Sequence, residues 1–173
     1  MKYFTAKMWD DLQREGKVGQ QAFKLWDERY AAYHRQLKRL SGRVGSRTFR
    51  FFSQGLIHDC PLISFTVRDK RGEYYLAGRR RRGTTPPTSA EIELVSSYEH
   101  KRYFLIYSRV TRIEFSFSGK DELFFCEEDG LGDCGYDELS SAGKGRLRHE
   151  ILFSSGSTLL LEFEKISVRT KRG

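Results

Sequence analysis

Apolar and polar residues alternate through much of the second half of this chain, a pattern typical of half-buried β-strands. Residues 109–117 alternate in this way and are followed by Ser118-Gly119. Residues 149–153 and 158–163 are rich in β-forming side chains, and only serine and glycine lie between them. Two such segments around a short Ser/Gly loop predict a β-hairpin.

Short strand candidates separated by turn residues continue this pattern over most of the chain. They lie at residues 62–67, 73–77, 92–97, 102–108, 110–117, 123–126, 136–139, 147–153, 158–163 and 166–168. Short strands with frequent turns predict an antiparallel β-sandwich or a rolled β-sheet of about seven to nine strands.

The first 41 residues have helical periodicity instead. Thr5 is the predicted N-cap of a short helix, and Gly16 its predicted end. A longer amphipathic helix is predicted from about residue 18 to 40. Its apolar positions are separated by three or four residues with one adjacent pair: Val18, Ala22, Leu25, Trp26, Tyr30, Tyr33, Leu37 and Leu40.

The chain therefore predicts an α+β fold, in which an N-terminal helical hairpin packs on the antiparallel sheet and its apolar stripe covers one face of that sheet. We predict a helical segment at residues 1–55, a β domain at 56–168, and a frayed basic tail at 169–173. Residues 49–52 contribute three phenylalanines to a short helix or turn before the β domain.

Composition narrows the functional classes. No apolar run approaches the roughly 20 residues of a membrane span, and residues 1–7 lack an apolar signal core. We therefore expect a soluble, cytoplasmic protein with no membrane partner. Three widely spaced cysteines predict reduced thiols. The net charge is +8, with an excess of cations in the helices and in a central loop.

Two segments resemble an uncharacterised bacterial domain family: Met1-Lys2-Tyr3-Phe4-Thr5 with Trp9, and Leu56-Ile57-His58-Asp59-Cys60. Members of that family pair an N-terminal helical segment with a β domain opened by a His-Asp dipeptide. Residues 136–139, 148–153 and 161–166 are similar to its closing part. Related β domains occur among immunity proteins of bacterial toxin systems, so the resemblance implies an immunity-like inhibitor. The family has no assigned activity, and the resemblance supplies no mechanism.

The dipeptide His58-Asp59 has two interpretations, one functional and one structural. A carboxylate beside an imidazole suits general base catalysis or metal binding. Adjacent residues of an extended chain point to opposite sides, however, which favours a structural motif in which Asp59 caps a turn or His58 bonds a backbone carbonyl. A hydrolase using His58, Asp59 and Cys60 is the third-ranked function.

The loop Arg79-Arg80-Arg81-Arg82 is the strongest binding feature of the sequence. Four guanidinium groups suit phosphate contacts, and nearby tyrosines, among them Tyr98, offer stacking surfaces for a nucleic acid. The alternative is that the arginines keep a long loop soluble. A nucleic-acid-binding module is therefore the second-ranked function.

Cysteine and histidine spacing predicts no metal site, and no phosphate-binding glycine loop or catalytic motif predicts a cofactor or an enzyme. The first-ranked function is a non-catalytic binding protein that acts on a macromolecular partner, most directly a protein.

Overall fold

The computed structural model describes residues 1–72, 88–96, 98, 100–118 and 130–172. Helices α1 (Ala6–Leu12), α2 (Gly16–Lys38) and α3 (Ser46–Ser53) precede the strands. Within the described ranges the strands are β1 (Cys60–Asp69), β2 (Thr88–Val95), β3 (Lys101–Ser108), β4 (Arg112–Ser116), β5 (Asp133–Gly143), β6 (Arg146–Phe153), β7 (Thr158–Phe163) and β8 (Lys165–Arg172).

The strands form one open antiparallel sheet in the order β4-β7-β6-β5-β1-β2-β3-β8. Strand β1 joins its two halves: Cys60 and Pro61 pair with β5, and the rest of the strand pairs with β2. The predicted α+β class, with N-terminal helices and an antiparallel sheet, is confirmed. The predicted hairpin is also confirmed, since β6 and β7 pair from Leu147↔Phe163 to Leu152↔Thr158.

The sheet is rolled, so that its two halves share one core. The ring of Tyr107 on β3 lies 4.9 Å from that of Phe163 on β7, between centroids. Helix α3 adds Phe51 and Phe52, whose rings contact Tyr103 on β3 and His149 on β6. The cluster of three phenylalanines that the sequence placed on a short helix or turn is thus part of the core.

The helices begin close to where the sequence predicts. Thr5 caps α1 by accepting a hydrogen bond from the Met8 N–H at 3.3 Å. Helix α2 does not simply cover one face of the sheet, as the stripe predicted. It lies along an edge of β5, where the Leu139 N–H donates to the Tyr33 hydroxyl at 3.0 Å and Gln36 Nε2 donates to the Leu139 carbonyl. These bonds cover an edge that β1 leaves unpaired.

The predicted basic tail is wrong for residues 169–172. Strand β8 continues to Arg172, which is the register partner of Lys101 on β3. Alternating Lys and Arg at a strand edge is compatible with pairing, because their long side chains extend into solvent. The strand candidates at 73–77 and 123–126 lie outside the described residues.

Among the helices of the described segments, none is long and apolar enough to cross a membrane.

Candidate functional site

A pocket lined by aromatic rings lies between α2, the N-terminal segment and β5. Its volume is 110 Å³, and we call it the aromatic pocket. Its lining includes Phe4, Trp26, Tyr30, Tyr33, Tyr136 and Asp137, together with His34 and His58.

The pocket exists because the pairing between β1 and β5 is limited to two residue pairs, Cys60↔Cys134 and Pro61↔Asp133. Beyond Cys134 a β-bulge shifts the register of β5, and the backbone of Gly135 lies at the wall of the pocket. The Trp9 ring packs directly on Gly135, so that a Cβ there would lie 1.7 Å from a ring atom. Glycine at this position is therefore what allows Trp9 to close one side of the bulge.

The rings of the pocket contact one another. Phe4 stacks on Tyr136 at 5.2 Å between centroids, and Trp26 stacks on Tyr30 at 4.8 Å. Phe4 also meets Tyr33 edge-on at 5.4 Å. Burial raises the pKa of Tyr33 well above its usual range, and that of Tyr136 is also raised by burial. The pocket therefore presents neutral, electron-rich ring surfaces.

Asp137 on β5 lines the pocket, and a chain of hydrogen bonds holds its carboxylate in place. Asp137 Oδ2 lies 3.2 Å from His149 Nε2, and His149 Nδ1 lies 2.7 Å from the Tyr107 hydroxyl. Both His149 and Tyr107 have no exposed surface. Because both ring nitrogens of His149 are engaged, this histidine positions Asp137 and has no nitrogen left for a ligand.

His58 lies at the rim of the pocket, and it contacts Asp59. The distance from His58 Nδ1 to Asp59 Oδ1 is 2.8 Å. The expectation that their side chains point to opposite sides is wrong, because Asp59 has a left-handed backbone with φ of 57°. The Tyr98 hydroxyl donates to Asp59 Oδ2 at 3.3 Å, and the His58 ring packs edge-on against Tyr136. The structural role predicted for the dipeptide stays a prediction.

The cysteines beside this rim are protonated thiols. Burial, together with Asp59 and Asp133, raises the pKa of Cys60 to about 11. Burial likewise raises the pKa of Cys134, with Asp137 as the next contribution. Cys60 Sγ donates to the Leu56 carbonyl at 3.5 Å. A thiol held in this state is a poor nucleophile, which weighs against the hydrolase reading based on Cys60.

Arg79, Arg80, Arg81 and Arg82 lie outside the described residues. In the parts of the chain that the structure describes, no three His, Cys, Asp or Glu side chains come together as a metal site would require.

Sequence reasoning missed Asp137, His149 and Tyr107 as a connected set, and it placed Trp26 and Tyr33 in an ordinary apolar stripe. The available signal was the aromatic content of that stripe, since its rings recur at positions 26, 30 and 33. Aliphatic side chains are sufficient to bury a helix, whereas several rings on one face can also line a binding pocket.

Comparisons with protein-family models, with curated proteins and with solved structures found no match to this chain. The resemblance to a bacterial domain family stays a prediction from the sequence.

Proposed function

We propose that this protein is a non-catalytic binding protein whose aromatic pocket takes up an ammonium group carried by a macromolecular partner. The observation that carries the proposal is the combination of stacked neutral rings with the carboxylate of Asp137 in one pocket. Aromatic faces attract cations through their quadrupole, with a free energy of about 0.5–2 kcal/mol for each ring contact.

Local charge favours a cation, although the whole chain is basic. Asp59 and Asp133 act electrostatically on Cys60, and Asp133 and Asp137 act on Cys134. The three carboxylates are therefore close to the same strand junction. An ammonium group in the pocket would meet the mostly buried carboxylate of Asp137, which salt screens less than the more exposed Asp59 and Asp133.

The size of the pocket limits what enters it. A cavity of 110 Å³ is smaller than the roughly 150 Å³ engineered cavity that accepts benzene. It therefore suits a head group of a few heavy atoms, such as a methylated ammonium, and excludes a nucleotide or a folded peptide.

The surroundings of the pocket favour a macromolecule as the carrier of that group. Phe23, Trp26 and Tyr30 follow the i, i+3, i+7 spacing that places side chains on one helix face. Phe23 is 59% exposed and Tyr30 is 42% exposed. Exposed rings beside a pocket supply the contact area that a protein partner needs.

The geometry supports binding better than catalysis. His149 has both nitrogens engaged inside the core, and the Cys60 thiol has a raised pKa. The immunity-like version of a binding function rests on the sequence resemblance alone, and it names a toxin as the macromolecular partner.

Titration with tetramethylammonium tests the pocket. We expect saturable shifts of the Trp26 and Tyr136 ring resonances in NMR spectra. Replacing Trp26→Leu should lower the affinity about tenfold, because one cation–π contact is lost. Asp137→Asn should lower it by a similar factor while the side chain keeps its shape.

Phe23→Leu is the matched control, since it removes an exposed ring from the same helix outside the pocket. It should leave the tetramethylammonium affinity unchanged. An equal loss in the Phe23 and Trp26 variants, with near-UV circular dichroism unchanged, would contradict the proposed site.

A further inference from the structure

A second surface of the molecule is the outer face of β1, β2, β3 and β8. Core positions such as Ile92, Leu105 and Val168 point inward, so the alternate residues of these strands lie on the opposite face. We call this face the outer β-face. The register places the following residues on it: Ser64, Thr66, Arg68, Glu91, Glu93, Arg102, Phe104, Ile106, Lys165, Ser167, Arg169 and Lys171.

An aromatic ring lies near the middle of this face, flanked by arginines. Phe104 pairs with Glu93 on β2 and with Arg169 on β8. The guanidinium carbons of Arg102 and Arg169 lie 5.8 Å and 5.7 Å from the centroid of its ring. Planar guanidinium groups and phenyl rings are both stacking partners for nucleobases.

Glutamates on β2 hold these arginines in place. Arg169 Nη2 lies 3.3 Å from Glu91 Oε2, and Arg102 forms an ion pair with Glu93. Side chains fixed over a ring in this way lose less conformational entropy when a ligand binds.

The charge of the outer β-face is positive. Five cations, Arg68, Arg102, Lys165, Arg169 and Lys171, share it with the carboxylates of Glu91 and Glu93, which leaves a net charge of +3. Lys165, Arg169 and Lys171 are exposed and follow one another along β8 at every second or fourth position. A row of cations along an edge strand can contact successive phosphates of an extended polyanion.

Three of the remaining positions, unlike Ile106, keep the face flat. Ser64, Thr66 and Ser167 carry short side chains, so an extended chain can approach the strands closely. Their hydroxyl groups donate and accept hydrogen bonds with phosphate and base edges alike.

From these observations we propose that the outer β-face binds single-stranded nucleic acid, with bases stacked at Phe104 and its arginines and phosphates along the cations of β8. This function is separate from the ammonium pocket, because the two sites use different strands. It also rests on different residues from Arg79–Arg82, on which the sequence-based nucleic-acid prediction rested.

Fluorescence anisotropy with a labelled oligouridylate of about 12 nucleotides tests the proposal. We expect saturable binding at low salt that weakens steeply as salt rises. Lys171→Gln should weaken binding and reduce the slope of log K against log salt by about 0.7, the value for one single-strand phosphate contact. Phe104→Leu should weaken binding about tenfold with the salt slope unchanged, because stacking releases no counterions.

Arg35→Gln on α2 is the control that matches Lys171→Gln in charge, since Arg35 is exposed and lies away from this face. If Arg35→Gln reduces affinity and slope as much as Lys171→Gln, binding follows net charge and the proposal is overturned. A wild-type protein that does not bind the oligouridylate at about 50 mM salt also overturns it. The same holds if replacing Arg79–Arg82 abolishes binding while Phe104→Leu has no effect.

Discussion

The Asp137 carboxylate lies 3.2 Å from Nε2 of His149, a side chain with no exposed surface, and the other nitrogen of that ring lies 2.7 Å from the Tyr107 hydroxyl. This chain connects the shared core of the rolled sheet to the aromatic pocket. It fixes the position of the Asp137 carboxylate beside the aromatic rings. His149 lies on the neighbouring strand β6, and Tyr107 lies on β3 in the opposite half of the sheet.

Tyr107→Phe should destabilise the fold by about 1–3 kcal/mol. The substitution removes the hydroxyl and leaves His149 Nδ1 buried without its partner. Urea denaturation followed by circular dichroism measures the change. Tyr98→Phe makes the same substitution at an exposed site and should shift the midpoint very little. Equal shifts in the two variants would mean that the buried hydrogen bond contributes nothing specific.

Gly135→Ala should lower the melting temperature, because its Cβ would overlap the ring of Trp9. Overpacking of this kind costs about 1–3 kcal/mol. Gly42→Ala provides the comparison, since a Cβ at Gly42 meets no atom within 4 Å. Scanning calorimetry of both variants measures the difference. A Gly135 variant as stable as the Gly42 variant would show that Trp9 can move at little cost.

Cys60 should react slowly with iodoacetamide in the folded protein. Its pKa of about 11 leaves roughly a hundredfold less thiolate at pH 8 than an ordinary thiol has. Peptide mapping by mass spectrometry reads the alkylation rate at Cys60 itself, and the urea-unfolded protein is the reference. The folded rate should rise with pH up to about 11. A folded rate at pH 8 equal to the unfolded rate would refute the raised pKa.

Glu162 should make the free energy of unfolding depend on pH in the acidic range. The hydrogen bond from Arg148 lowers the pKa of Glu162, with a donor–acceptor distance of 2.6 Å from Nη2. The folded carboxylate therefore binds a proton less readily than the unfolded one. The ionised Glu162 carboxylate therefore stabilises the folded state above about pH 4.5. This stabilisation is lost as the pH falls through the lowered pKa.

Denaturation midpoints measured from pH 6 down to pH 3 test this dependence. Glu162→Gln should remove part of the acid-dependent loss, whereas Glu164→Gln, at a more exposed carboxylate, should keep it. If both variants keep the wild-type slope, Glu162 is not a source of the acid sensitivity.

Local features were predictable from the sequence for physical reasons. The Thr5 cap, the long helix and the β6–β7 hairpin each depend on residues close together in the chain. The periodicity of β8 was also present in the sequence, but the density of Lys and Arg at its end favoured a tail. Pairing with β3 outweighed that charge, and such pairing is a long-range property.

The aromatic pocket was not predictable from the sequence, because it too depends on long-range strand pairing. Residues 107, 137 and 149 meet only because β5 pairs with β6 and the sheet rolls onto β3. His58 and Asp59 meet because one residue adopts a left-handed backbone, for which an aspartate is only a weak signal. Periodicity identified Ala22, Tyr33 and Leu37 correctly as buried positions of α2. It was wrong for Val18, Leu25 and Tyr30 of the same stripe, which are exposed, and it does not distinguish a filled core from a pocket wall.

The most direct test of the ammonium pocket compares choline with 3,3-dimethyl-1-butanol, which has the same shape and no charge. Isothermal titration calorimetry measures both affinities under identical conditions. If rings and Asp137 recognise a cation, choline should bind at least about tenfold more tightly than its neutral analogue. An equal or higher affinity for the neutral analogue, or no saturable binding of choline, would contradict the account, because an apolar cavity alone favours the uncharged ligand.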